Sequence, residues 1–304
     1  MNLFKKIFRK KVVKVKTDKI FFVHIPKTAG TSFRNGLEKE FGFKNSFFDY
    51  GLNSAETSDI IREVIYKEKD FLELKEYFKK QKNIFLSGHV PVAKYMNIFD
   101  TLSVVSFVRE PVSQVISHFV HFKTKHNYEK TIEEFIEEKR SQNIQSRLLG
   151  AKPLELFGFI GLTEEYDTSI KIINHYFNTD IKVFKSNTNK QSNKFKESLS
   201  DKIIERIKEV NKKDIELYKK VKKLFEKHKK CLEENKAFIY KYIQKDTEDL
   251  TVGIAFQREG NQAVEIEIKD KENNNFLIKA KSFRPGMLQH NLPRDGFVGF
   301  EYKS

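Results

Sequence analysis

A single cysteine, Cys231, stands among the 304 residues. No disulfide can form within the chain, and the count suits a reducing cytosol, so a cytoplasmic protein is expected. No apolar run approaches the ~20 residues that a membrane span needs. The first segment, 1–18, is basic, with Leu3, Phe4, Ile7 and Phe8 scattered through it. It lacks the apolar core and small-residue cleavage site of a signal peptide. It reads as a basic leader whose candidate role is peripheral contact with an anionic membrane surface. His118 and His121 stand three residues apart with no cluster of cysteines or carboxylates to complete a metal site, so no metal is expected. No standard nucleic-acid motif is present, and nucleic acid is not an expected partner. Internal repeats and long low-complexity linkers are absent as well.

The composition that remains is that of a globular chain. Hydrophobic residues make up 39% of it, and its length allows one large α/β domain with a small appendage. Lys and Arg number 57 against 42 Asp and Glu, a net charge of +15. That excess favours anionic partners such as nucleotide phosphates, acidic glycans or anionic lipid, without choosing among them.

Three short apolar runs read as buried strands: KIFFVHI (19–25), NIFLS (83–87) and LSVVSFV (102–108). The first ends at Pro26 and a small-residue turn, after which Phe33, Leu37 and Phe41 recur at helical spacing. The third ends at Arg109-Glu110-Pro111, with Pro111 suited to the first position of a helix. Residues 55–80 carry a charged, mostly helical pattern, and helical patterns dominate again from about 127 to 245. Beyond 250 the texture changes to strand-like runs, VGIAF, AVEIEIK, FLIKAKSF and GFVGFEY. The expected organisation is a leader (1–18), an α/β domain (19–245) and a small all-β module (250–304).

Two segments carry the chemistry. In HIPKTAGTS (24–32), the loop amides and the start of the following helix point donors at one spot. Lys27 adds a point charge, Thr28, Thr31 and Ser32 add hydroxyls, and Ala29-Gly30 lets the backbone approach an anion. The loop differs from the Walker A pattern, because Lys27 precedes the only glycine. In VREPVSQVISHF (108–119), Arg109 lies where a strand meets a helix and Ser117 lies eight residues on. A guanidinium fork and a hydroxyl suit a terminal phosphate monoester.

HIPKTAGTS resembles the 5′-phosphosulfate-binding loop of the sulfotransferases that use 3′-phosphoadenosine 5′-phosphosulfate (PAPS). It is most similar to the branch holding heparan sulfate and uronyl 2-O-sulfotransferases and their bacterial relatives. The Arg109–Ser117 spacing resembles the 3′-phosphate motif of the same family. SQNIQSRLLG (141–150), FGFIGLTEEYDTSIKIINHYF (157–177) and VNKKDIELYKKVKKLF (210–225) resemble further blocks, so the likeness runs over about 19–228. KAKSFRPGMLQHNLPRDGFVGFEY resembles a small tail of some bacterial glycosyl- and sulfotransferases.

The resemblance implies a P-loop-like α/β fold, a parallel sheet flanked by helices with the nucleotide at the strand ends. It implies that PAPS is bound by Lys27, Thr28, Ala29, Gly30, Thr31, Ser32, Arg109 and Ser117, with adenosine 3′,5′-bisphosphate as product. It also implies a carbohydrate or glycolipid-like acceptor. Lys27 suits the leaving oxygen. A sugar hydroxyl is a weak nucleophile and calls for a general base. His89 follows the second strand, and Gly88-His89-Val90 resembles the segment that supplies a catalytic histidine in the 2-O-sulfotransferases. Glu38 is the alternative, since other branches use a carboxylate, and His24 reads as structural. Two other functions share these features: a P-loop-type nucleotide kinase, and a basic glycan-binding protein with an inactive nucleotide site.

Overall fold

The computed structural model describes residues 19–150, 153–183, 190–247, 249–269, 274–290 and 292–303. The basic leader expected over 1–18 lies outside them.

The apolar runs form a five-stranded sheet, every pairing parallel. Its strands are β1 (Lys19–Val23), β2 (Ser46–Asp49), β3 (Ile84–Gly88), β4 (Val104–Val108) and β5 (Phe159–Leu162), in the order β2-β3-β1-β4-β5. Residues in β3, β4 and β5 are buried without exception. That is why these runs are continuously apolar rather than alternating, as helices cover both faces of a parallel sheet. Phe21, Phe22, Phe85 and Phe107 at its centre are fully buried, each contributing about 1.5–3 kcal/mol.

The helices are α1 (Gly30–Phe41), α2 (Asp59–Ile61, continued by a π-turn over Arg62–Lys67), α3 (Phe71–Lys79), α4 (Pro111–Lys125), α5 (Ile132–Glu137), α6 (Ile144–Leu149), α7 (Tyr166–Phe177), α8 (Lys190–Glu197), α9 (Asp201–Val210) and α10 (Lys212–Glu233). Pro111 opens α4, and the Glu110 carboxylate caps it by accepting from the amides of Val112 and Ser113 at 3.0 and 2.9 Å.

The C-terminal module holds β6 (Ile239–Asp246), β7 (Leu250–Gln257), β8 (Glu265–Lys269), β9 (Asn275–Lys279) and β10 (Gly299–Lys303). They form an antiparallel sheet β10-β7-β6 and a hairpin β8-β9. The helical texture expected to about 245 ends at Glu233, and 239–246 is strand. Its first half is covered, with Tyr240 buried, and its second half, Ile243 to Asp246, is exposed. Phe238, Tyr240, Ile254, Phe256, Leu292 and Val298 pack into the same hydrophobic cluster as the parallel sheet. Tyr240 Oη donates to the Gly158 carbonyl at 2.9 Å, and Arg258 donates to that of Leu102 at 2.7 Å. No helix among the described residues is long and apolar enough to cross a membrane.

Strand order and register set the site. α1 leaves β1 toward β2, whereas α4 leaves β4 toward β5, so the sheet switches direction between β1 and β4. Ligands of open α/β sheets bind in the crevice at such a point. Val23 pairs with Gly88 on one side and with Ser106 on the other. His24 therefore emerges beside His89, and Pro26-Lys27 emerges level with Arg109.

Candidate active site

The loop from His24 to Ala29 is wound tightly. Lys27 and Ala29 both have left-handed backbones, with φ of 67° and 64°. Such a conformation costs a residue with a β-carbon about 1–2 kcal/mol, and side chains from all round the loop hold it in place. Thr28 is fully buried and its hydroxyl donates to the Ile25 carbonyl at 2.9 Å. Gln114 of α4 donates to the Pro26 carbonyl at 3.0 Å, and Arg109 Nη1 donates to the Lys27 carbonyl at 3.3 Å. No side chain caps the N-terminus of α1, so its first amides remain available to an anion.

Two cations converge there. Lys27 and Arg109 are each partly buried and lie close enough that Arg109 lowers the Lys27 pKa, after burial itself, the larger cause. Burial lowers Arg109 too, opposed by Glu164 and Glu110. Among the described residues no carboxylate forms an ion pair with Lys27. Like charges set side by side, with backbone N–H groups around them, make a site that an anion stabilises. Ser117 is buried on α4, one turn beyond Gln114 and so on the side that meets the loop. Thr31 is exposed and Ser32 half-buried at the start of α1.

The structure gives Gly30 a role that its sequence setting does not show. A β-carbon there would lie 2.0 Å from Cδ2 and 2.3 Å from Nε2 of His24. The His24 ring thus rests on the Gly30 backbone, stacks on Phe22 and hydrogen-bonds through Nδ1 with Tyr50 Oη at 2.8 Å. Burial, then the neighbouring His89 and Arg34, hold its pKa far below the usual histidine value. It is a neutral, packed residue.

His89 stands next to it, with ring centres 4.5 Å apart, and presents an edge to Tyr50. Its Nδ1 lies 2.6 Å from the His24 carbonyl oxygen. A carbonyl only accepts, so Nδ1 carries the proton and Nε2 keeps its lone pair. His89 is exposed on the open side of the recess, but protein crowds its other sides. Burial lowers its pKa, the His24 carbonyl and Glu56 oppose that, and Arg34 adds to it.

Glu38 is differently placed. It ion-pairs with Arg34 at 3.2 Å, and Arg34 also pairs with Glu56 and lies over the rings of Phe48 and Tyr50. His118 lies one turn beyond Gln114. Its ring packs against Phe122 and Phe135, and its buried Nδ1 has no hydrogen-bond partner. Burial, followed by His121, Lys27 and His89, pushes its pKa down to about 4. Among the described residues no group of three or more His, Cys, Asp or Glu is arranged to hold a metal ion.

Tyr50, Gln114, Gln145 and Asp214 support the site without having stood out in the sequence. Gln114 lies within VREPVSQVISHF, Gln145 within SQNIQSRLLG and Asp214 within VNKKDIELY, but their side chains act through bonds that no local pattern encodes.

Two cations and the uncapped start of α1 thus meet at the switch point of a parallel α/β sheet, with a neutral histidine beside them. The sulfotransferase family model matches residues 10–168, and the chain belongs to that family. The likeness traced in the sequence continues to 228, past the matched segment. Three solved structures are similar in part. Mouse sulfotransferase SULT7A1, complexed with PAP, is 15% identical with a TM-score of 0.33, over 62% of this chain and 66% of that one. A sulfotransferase from Alicyclobacillus acidocaldarius is 11% identical with a TM-score of 0.32, over 62% and 93%. Retinol dehydratase, in complex with androsterone and inactive cofactor PAP, is 13% identical with a TM-score of 0.31, over 64% of each chain. This chain spans just under two thirds of the mouse protein and of retinol dehydratase. No curated protein matches it.

Proposed function

We propose that this protein transfers a sulfuryl group from PAPS to a hydroxyl of a carbohydrate or glycolipid-like acceptor by in-line displacement, leaving adenosine 3′,5′-bisphosphate. The observation that carries this reading is the convergence of Lys27 and Arg109 at the uncapped start of α1. The set fits the donor: one cation and a ring of amides for the 5′-phosphosulfate, and a guanidinium beside the Ser117 helix for the 3′-phosphate. When bound, the donor supplies a sulfuryl group on a phosphate leaving group.

The chain's own residues then have separate tasks. Lys27 Nζ and the amides of Gly30, Thr31 and Ser32 hold the negative charge left on the phosphate oxygen. Arg109 and Ser117 hold the far end of the nucleotide. His89 takes the proton of the attacking hydroxyl at Nε2, with Nδ1–H tied to the His24 carbonyl. The Gly88-His89-Val90 segment supports a reading within the 2-O-sulfotransferase-like branch. Glu38 is less suited to be the base because Arg34 already holds its carboxylate. The +15 charge favours an acidic glycan or glycolipid over a neutral one. The same charge suits a cytoplasmic protein lying against the inner face of a membrane through residues 1–18.

The test is a transfer assay with PAPS labelled in its sulfate over a panel of glycans, beside thermal shifts with adenosine 3′,5′-bisphosphate and with ATP and Mg²⁺. Labelled product and stabilisation by the bisphosphate are expected. Stabilisation by ATP with Mg²⁺ alone would make the protein a nucleotide kinase. Bisphosphate binding without transfer to any acceptor would leave a glycan-binding protein with an inactive site.

A further inference from the structure

Arg109 is the first residue past β4, where the ladder to β1 has already ended at Val23 and Ser106. Its amide and carbonyl would lack strand partners, yet both are satisfied by one side chain. Gln145 Oε1 accepts from the Arg109 N–H at 2.9 Å, and Gln145 Nε2 donates to the Arg109 carbonyl at 2.9 Å. The side-chain amide pairs with this residue as a neighbouring strand would. Gln145 is fully buried, which strengthens both bonds relative to exposed ones.

Gln145 is fixed in turn. It lies in the first turn of α6, and the Asn143 side chain does not cap that helix, being turned instead toward Val210, Lys213 and Asp214. The cap comes from another helix. The Asp214 carboxylate of α10 accepts from the amides of Gln145 and Ser146 at 3.0 and 2.7 Å. Asp214 is 1% exposed, and α10 is packed into the main core through Leu217, Val221 and Phe225. A continuous buried relay thus runs from α10 through α6 to Arg109, whose guanidinium reaches the Lys27 carbonyl.

We propose that Gln145, anchored by Asp214, is the positioning residue that aims Arg109 and gives the site its preference for nucleotides carrying a 3′-phosphate. The inference rests on the donor reading above. A guanidinium forms two parallel bonds to a phosphate only when its fork is held within a fraction of an ångström. A flexible Arg109 would keep its charge but lose that geometry.

The experiment measures affinity for adenosine 3′,5′-bisphosphate and for adenosine 5′-monophosphate by calorimetry. The wild-type protein is expected to prefer the bisphosphate by about 10- to 100-fold, the range of a charge-assisted contact. Gln145→Met keeps the volume and removes both bonds, and Gln145→Glu keeps the acceptor and removes the donor. Both should cut the preference by about tenfold while leaving monophosphate affinity within about twofold. Retained monophosphate binding also reports a folded pocket. Asp214→Asn should give a smaller loss in the same direction, and in an Arg109→Ala background none of the changes should matter further.

A merely structural role predicts that both nucleotides weaken together, and that result would overturn the inference. So would an unchanged preference in Gln145→Glu. A wild-type protein that binds the two nucleotides equally would instead overturn the donor reading itself.

Discussion

The Nδ1 of His89 lies 2.6 Å from the main-chain oxygen of His24, a residue 65 positions earlier in the chain. The register of β1 against β3 makes this contact, since Val23 pairs with Gly88 and the next residue of each strand must meet. The contact fixes a tautomer. It leaves Nε2 as the basic nitrogen of an exposed side chain.

That geometry predicts the behaviour of His89→Ala. The substitution should cut kcat by roughly 10²–10⁴, the usual worth of a positioned base, and leave nucleotide affinity nearly unchanged. Burial lowers the His89 pKa, so the rate should rise with pH through a midpoint below the ordinary histidine value. This limb should vanish in the variant. Steady-state rates across the acid range check it. A variant that retains most of its kcat would move the search to Glu56 and Glu38.

Lys27 presents its charge at the loop that would hold the leaving phosphate. An interaction that strengthens as charge develops there affects kcat more than binding. Lys27→Ala should lower kcat by about 100-fold or more, which is about 2.7 kcal/mol, with a smaller change in KM for PAPS. An equal loss in both parameters would assign Lys27 to ground-state binding instead.

Gly30→Ala tests how closely the loop is built. Its new β-carbon would meet the His24 ring at 2.0 Å, so the imidazole must swing away from Tyr50 and disturb the carbonyl that orients His89. The expected cost is about 1–3 kcal/mol of stability, as for other overpacked sites, together with a fall in kcat. Adding His24→Ala should return part of the stability, giving a favourable coupling in a double-mutant cycle. Strictly additive effects would mean that the loop relaxes without His24.

What could be read from the sequence follows a physical pattern. The strand–turn–helix around Lys27 and the strand end at Arg109 followed by the Pro111 helix start are legible because strand, turn and helix lie within a dozen residues of one another. Strand β2, SFFD, is not. It is four residues long, and only pairing with β3 makes it a strand. Strand β6 was hidden by the Lys-rich texture around it. Gln145 and Asp214 lie in SQNIQSRLLG and VNKKDIELY, but their tasks arise from bonds across 36 and 69 positions, which no local pattern encodes. At Gly30 the fold adds a second demand that the sequence does not show, since a β-carbon there would meet the His24 ring.

The joint between the sheet and the C-terminal module should make the protein sensitive to acid. His228 of α10 is 5% exposed, stacks on Phe238 with ring centres 3.5 Å apart and hydrogen-bonds through Nδ1 with Tyr176 Oη at 2.9 Å. Burial, followed by Arg258, pushes its pKa down to about 3. In the unfolded chain a histidine titrates near 6.5. Between those values the unfolded state binds a proton that the native state refuses, so stability rises with pH there. The contribution of neutral His228 is complete above about 6.5 and is lost progressively as pH falls toward 3. From pH 7.5 to 5 the loss from this one group is about 2 kcal/mol. Urea denaturation at the two pH values measures it. His228→Phe keeps a ring against Phe238 but cannot titrate. It should lower stability at pH 7.5, because Tyr176 loses its partner, and shrink the difference between the two pH values by about 2 kcal/mol. An unchanged difference would mean that His228 gains its proton in the native state, and that the joint opens in mild acid before the protein unfolds.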